Sequence, residues 1–78
     1  MNPINENLIK QCAEADLRLL GYTGIAFEKI TRISLLWDIE FYATFQDHRH
    51  HFMGKVYQSD SGIPHVEPNS IRSVKRYS

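Results

Sequence analysis

The sequence predicts an α+β fold: one N-terminal helix packed on one face of a three- or four-stranded antiparallel sheet. Three observations carry that reading. Residues 6–20 repeat apolar side chains at helical spacing and stop at Gly21. Residues 37–46 alternate apolar and polar without a break, the period of a half-buried strand. The chain has 78 residues, enough for one small domain. A domain of that size hides only about 60% of the surface its unfolded chain exposes, so helix and sheet must share one core.

The helix comes first. Asn5 suits an N-cap, and Glu6 suits the positive first turn. Leu8, Cys12, Ala15 and Leu19 form one apolar row, which Ile9, Ala13 and Leu20 widen. Asp16 interrupts this stripe. A buried carboxylate without a partner is costly, so Asp16 is expected at the rim of the stripe, on a backbone donor, or paired with a His or Arg. Tyr22-Thr23-Gly24 reads as a connection, and residues 28–34 as a strand with a bulge.

Strands over 37–46 and 51–58 follow. Joining their apolar faces as a hairpin predicts Phe45 opposite Phe52, Ala43 opposite Gly54 and Phe41 opposite Val56. The helix would then approach the shallow spot at Ala43 and Gly54. Ser59-Asp60-Ser61-Gly62 has the composition of a tight turn. Pro64 and Pro68 confine residues 63–68 to an extended or irregular edge. Residues 70–77 read as a last strand, with a short helix capped at Asn69 as the alternative. This order of elements resembles small cystatin-like and PepSY-like units in topology; no motif accompanies the likeness, and no function is carried over from it.

Nine Lys and Arg balance nine Asp and Glu, but unevenly. Residues 1–47 are acidic on balance and residues 48–78 basic, with Arg72, Lys75 and Arg76 near the end. A basic end can meet phosphate or an acidic partner. A dedicated nucleic-acid binder is usually basic throughout, so nucleic acid ranks below protein as a partner. A single cysteine excludes an internal disulfide and a multi-cysteine zinc cage. No apolar run approaches the ~18 residues of a spanning helix, and no charged-then-apolar leader follows Met1. The expected location is a reducing cytoplasm, with no membrane association and no cofactor.

Candidate chemistry is sparse. Asp47-His48-Arg49-His50-His51 lies at the hairpin end, where His48 and His50 would share a side. Imidazoles two apart can bind zinc or copper, but tetrahedral zinc needs three or four ligands, so His48, His50 and His51 are weak metal candidates. A set of Cys12, a histidine and Asp16 lacks the strained elbow and oxyanion loop of a nucleophilic enzyme. Asp38 and Glu40 lie on the outward side of their strand, without the desolvation that acid–base work needs.

The outward sheet face says more. Glu40, Tyr42, Met53, Lys55 and Tyr57 fall on it, with Arg72, Lys75 and Arg76 beside it. Tyr, Met and Arg are enriched at protein interfaces. The sequence therefore points to a small non-catalytic interaction module: an adaptor, a regulatory subunit or an inhibitor of a larger protein. A phage- or mobile-element-encoded inhibitor is one sub-class. Homodimerisation through the same face or an exposed edge is a further expectation. The runner-up is a nucleic-acid binder using Arg49, Lys55, Arg72, Lys75 and Arg76 with the tyrosines; a histidine metal protein comes third.

Overall fold

The computed structural model describes residues 6–58 and 62–74. Helix α1 (Glu6–Leu19) leads into strands β1 (Thr23–Ile33), β2 (Leu36–Phe45) and β3 (His48–Gln58). A short β4 (Pro64–Val66), a 3₁₀ turn (Pro68–Ser70) and a two-residue β5 (Arg72–Ser73) follow. All pairings are antiparallel, in the order β1-β2-β3-β4, with β5 also on β3. The class is the expected α+β. The sheet is somewhat larger than the sequence predicted, because the C-terminal segment pairs twice along one edge of β3. No helix among the described residues is long and apolar enough to cross a membrane.

The helix forms where expected, but its buried row takes Ile9 and Ala13 from the margin of the expected stripe and adds Leu17. Ile9, Ala13 and Leu17 point into the core, whereas Leu8 and Ala15 are exposed and Leu19 is 87% exposed. At 3.6 residues per turn the Ile9–Ala13–Leu17 row lies about 130° round the helix from the Leu8–Cys12–Ala15–Leu19 row, so the helix offers two apolar faces. Packing selects between them. Tyr22 enters the core directly after the helix, stacking on Phe45 at 4.5 Å and meeting Phe52 edge-on at 5.1 Å. Tyr22 is therefore core and not mere connection, and β1 starts right behind it at Thr23. Register shifts at Thr23/Ala26 and Phe27/Lys29 mark the bulges, which absorb the mixed apolar spacing of this strand.

The β2–β3 hairpin keeps its expected faces and changes its register. Phe52 lies opposite Phe41 rather than Phe45, Gly54 opposite Ile39 rather than Ala43, and Val56 opposite Trp37 rather than Phe41. The cause is the turn. Gln46 and Asp47 both take positive φ (53° and 68°), the backbone of a two-residue I′ connection whose twist matches that of the strands. The histidine-rich segment thus becomes strand instead of loop.

Phe41 is sealed in an aromatic cluster, stacked on Phe52 at 5.5 Å and edge-on to Tyr22 at 5.9 Å. Such pairs are each worth about 0.5–1.5 kcal/mol beyond area burial. Ile39, Ala43, Val56 and Val66 complete the core from the sheet side.

The broken C-terminal edge has a local explanation. Pro64 and Pro68 lack amide donors and limit β4 to three residues. The chain then swings out through the 3₁₀ turn, whose start is capped by the Glu67 side chain accepting from the Asn69 amide at 3.3 Å. Ser70 bridges the gap: its Oγ accepts the Lys55 amide at 2.8 Å and donates to the Glu67 carbonyl at 2.6 Å. Ile71 fills the hollow at Gly54, where an added Cβ would meet Ile71 Cγ1 at 3.3 Å. The expected approach of the helix to that hollow does not occur. Of the strand expected over 70–77, the described residues form only Arg72–Ser73; Lys75, Arg76 and Tyr77 lie outside the described residues, as does Asn5.

Candidate interaction face

One face of the sheet carries the core and meets α1. The register places the other face in rows across the strands. The row nearest the β1–β2 turn reads Ile33, Leu36, Tyr57, His65. Next come Thr31, Asp38 and Lys55, and then Lys29, Glu40, Met53 and Arg72. Ala26, Tyr42 and His51 follow, and Thr23, Thr44 and Arg49 close the series. Glu40, Tyr42, Met53, Lys55, Tyr57 and Arg72 therefore share one surface, as their alternation in sequence requires. Met53 and Tyr57 are each 37% exposed. Lys75 and Arg76 lie outside the described residues.

The charges on this face are only partly spent. Lys55 Nζ is held by Asp38 Oδ1 at 2.8 Å, and Arg49 Nη1 donates to the Gly24 carbonyl at 2.8 Å. Lys29 and Arg72, at the two ends of one row, form no ion pair among the described residues. Four cations (Lys29, Arg49, Lys55, Arg72) face two carboxylates (Asp38, Glu40). Shallow depressions of about 250 and 200 Å³ flank Met53, one beside Lys29 and the other beside Lys55 and Arg72. Sequence reasoning missed Lys29, because the bulge at Phe27/Lys29 reverses the side on which it falls.

The three hairpin histidines do not converge. His48 and His50 share a side as expected, with ring centroids 6.0 Å apart. His51 occupies the opposite face, stacked on Tyr42 at 4.6 Å. No group of three or more His, Cys, Asp or Glu with metal-ligand spacing occurs among the described residues. The His51 side chain is only 10% exposed, and its Nε2 sits 3.9 Å from Glu40 Oε1. Neither ring nitrogen has a hydrogen-bond partner, an arrangement that costs free energy wherever it occurs.

Asp16 meets two of its three expectations. Its Oδ2 accepts the Val66 amide at 2.9 Å and lies 3.5 Å from His65 Nδ1. Cys12 sits one turn earlier on α1. Burial, and secondly the Asp16 carboxylate, push its thiol above the ordinary range, the reverse of what activates a nucleophilic cysteine.

No family model, no curated protein and no solved structure matches this chain.

Proposed function

We propose that this protein is a small non-catalytic interaction module, an adaptor, regulatory subunit or inhibitor, that docks through the uncovered face of its sheet onto an acidic surface of another protein. One observation carries the reading: the cross-strand register gathers Tyr42, Met53, Tyr57, Lys29 and Arg72 on the face opposite α1. Exposed aromatic and thioether side chains between unpaired cations match the composition of protein interfaces. The excess of cations over carboxylates on this face makes an acidic partner surface complementary to it. Asp38 and Glu40, interspersed with those cations, would repel a continuous phosphate backbone, which ranks nucleic acid second.

The test compares partners recovered from the native host by the wild-type chain, by face variants (Met53→Asp, Arg72→Glu) and by a helix-surface control (Gln11→Ala). The reading requires one protein recovered by wild type and control, lost by both face variants, retained after nuclease treatment, and weakened by salt. Loss on nuclease treatment, equal recovery by all variants, or recovery of this chain alone would each overturn it.

A further inference from the structure

We infer that the cleft between the last turn of α1 and β4 is a binding site for an arginine side chain of a partner protein. This site lies round the β4 edge from the docking face proposed above; it shares Tyr57 with that face, but its argument rests on Asp16 and the helix end.

The cleft measures about 410 Å³ and is lined by Asp16, Leu19, Leu20, Tyr57, His65, Val66 and Pro68. Its walls are aliphatic on the helix side, where Leu19 and Leu20 are both exposed. Leu19 and Leu20 thereby give the cleft an apolar rim, the kind of wall that ligand sites commonly have. Tyr57 and His65 supply two rings on the strand side, with centroids 6.3 Å apart.

The charge in the cleft selects its occupant. Among the described residues Asp16 is the one carboxylate lining it, and no lysine or arginine lines it. The nearest helix cation, Arg18, is already bound to Glu14 at 2.7 Å. Both contacts of Asp16 with the protein fall on Oδ2, one from the Val66 amide and one from His65, so Oδ1 keeps its acceptor capacity. An occupant must therefore bring an apolar stem, a flat cationic head and N–H donors. A lysine brings the stem and a compact ammonium, whereas an arginine adds a planar head that stacks on a ring while donating to a carboxylate. Arginine is also among the residues that most often anchor protein interfaces.

The probe is a blocked amino acid, so the experiment needs no knowledge of the partner. N-acetyl-arginine methylamide and the neutral N-acetyl-norleucine methylamide, which keeps an apolar stem and lacks the guanidinium, are titrated into the ¹⁵N,¹³C-labelled full chain. The arginine probe is expected to shift signals of Leu19, Leu20, Tyr57, His65 and Val66, and to bind about three- to fivefold more tightly than norleucine, the scale of a partly exposed ion pair. Asp16→Asn keeps an oxygen for the Val66 amide and removes the charge, and should bring the two probes level. Leu19→Lys alters only an exposed side chain and should weaken the arginine probe through a competing cation. Equal affinity of both probes for the wild type, shifts located elsewhere, or an Asp16→Asn variant that folds and still prefers arginine would overturn the inference. Because Arg72→Glu lies outside the cleft and should leave this titration unchanged, failure of the face reading and failure of the cleft reading are separable.

Discussion

Asp16 Oδ2 accepts the backbone N–H of Val66 at 2.9 Å, joining helix α1 to the edge strand β4 across fifty positions of chain. The amide in question points away from β3, and the side chain of Val66 is buried, so water is a poor substitute partner. Removing the acceptor leaves a partly buried donor unmet, at a cost of about 1–3 kcal/mol. Asp16→Ala should lower stability by that amount in urea unfolding and accelerate hydrogen exchange at Val66. Asp16→Asn should lose much less. Identical exchange at Val66 in Asp16→Ala and wild type would show that the bond does not form.

The two-residue turn can be tested through its own chemistry. Gln46 and Asp47 are held at positive φ, where Gly is free, Asn and Asp are tolerated, and a long side chain such as Gln is disfavoured. Replacing the pair with Asn-Gly supplies the residues that an I′ turn prefers. The double variant Gln46→Asn/Asp47→Gly should gain about 1 kcal/mol in thermal or urea unfolding. A long flexible connection at this place would show no gain.

His51 is the one described side chain with buried nitrogens that find no partner. Its ring already stacks face to face on Tyr42, so a phenyl ring can take its place. His51→Phe should stabilise the fold by about 1 kcal/mol, because an unmet polar group is exchanged for an apolar one of similar shape. A loss of stability would point to a hydrogen bond that His51 makes in solution.

Alkaline pH should weaken the fold in two stages. Burial raises the Tyr22 phenol, and burial with the Asp16 charge raises the Cys12 thiol. Between a group's unfolded and folded values, the unfolded chain has released a proton that the folded chain retains. The unfolded state then binds fewer protons, so stability falls as pH rises. The protection is complete below the ordinary thiol value of about 8.5 and declines above it, with the phenol contributing from about 10. Melting temperature followed from pH 7 to 11 should drop over that window. Cys12→Ala should remove the lower part of the drop and Tyr22→Phe the upper part. A wild-type melting temperature that climbs through this window contradicts the assignment.

Particular residues show where sequence reasoning reached its limit. The outward set Glu40, Tyr42, Met53, Lys55 and Tyr57 was legible because alternation assigns faces at every second residue. The partners across the hairpin were not. Sliding β3 by an even number of residues keeps every side chain on its face, so Phe52 satisfies the pattern equally well opposite Phe45 or Phe41. The backbone at Gln46 and Asp47 made the choice. On α1 the Leu8–Leu19 side and the Ile9–Ala13 side are both apolar, and Tyr22 and the sheet settled that the second, extended by Leu17, entered the core. The cleft beside Asp16 was partly visible, since an acid inside an apolar stripe must find a partner. Nothing local indicated that the partner would be Val66 and His65.

By itself, then, the amino-acid order determined the class of fold, the single helix, the two main strands and the side of the sheet on which each of their residues stands, because these follow from periods of 3.6 and 2 that neighbouring residues express without help. Only the tertiary structure decided the hairpin register, the buried row of α1, the broken edge that places Arg72 beside Met53, and the cleft at Asp16. Those features depend on contacts between residues far apart in the chain, and a local pattern that is satisfied by several arrangements carries no energy difference between them until the whole core closes.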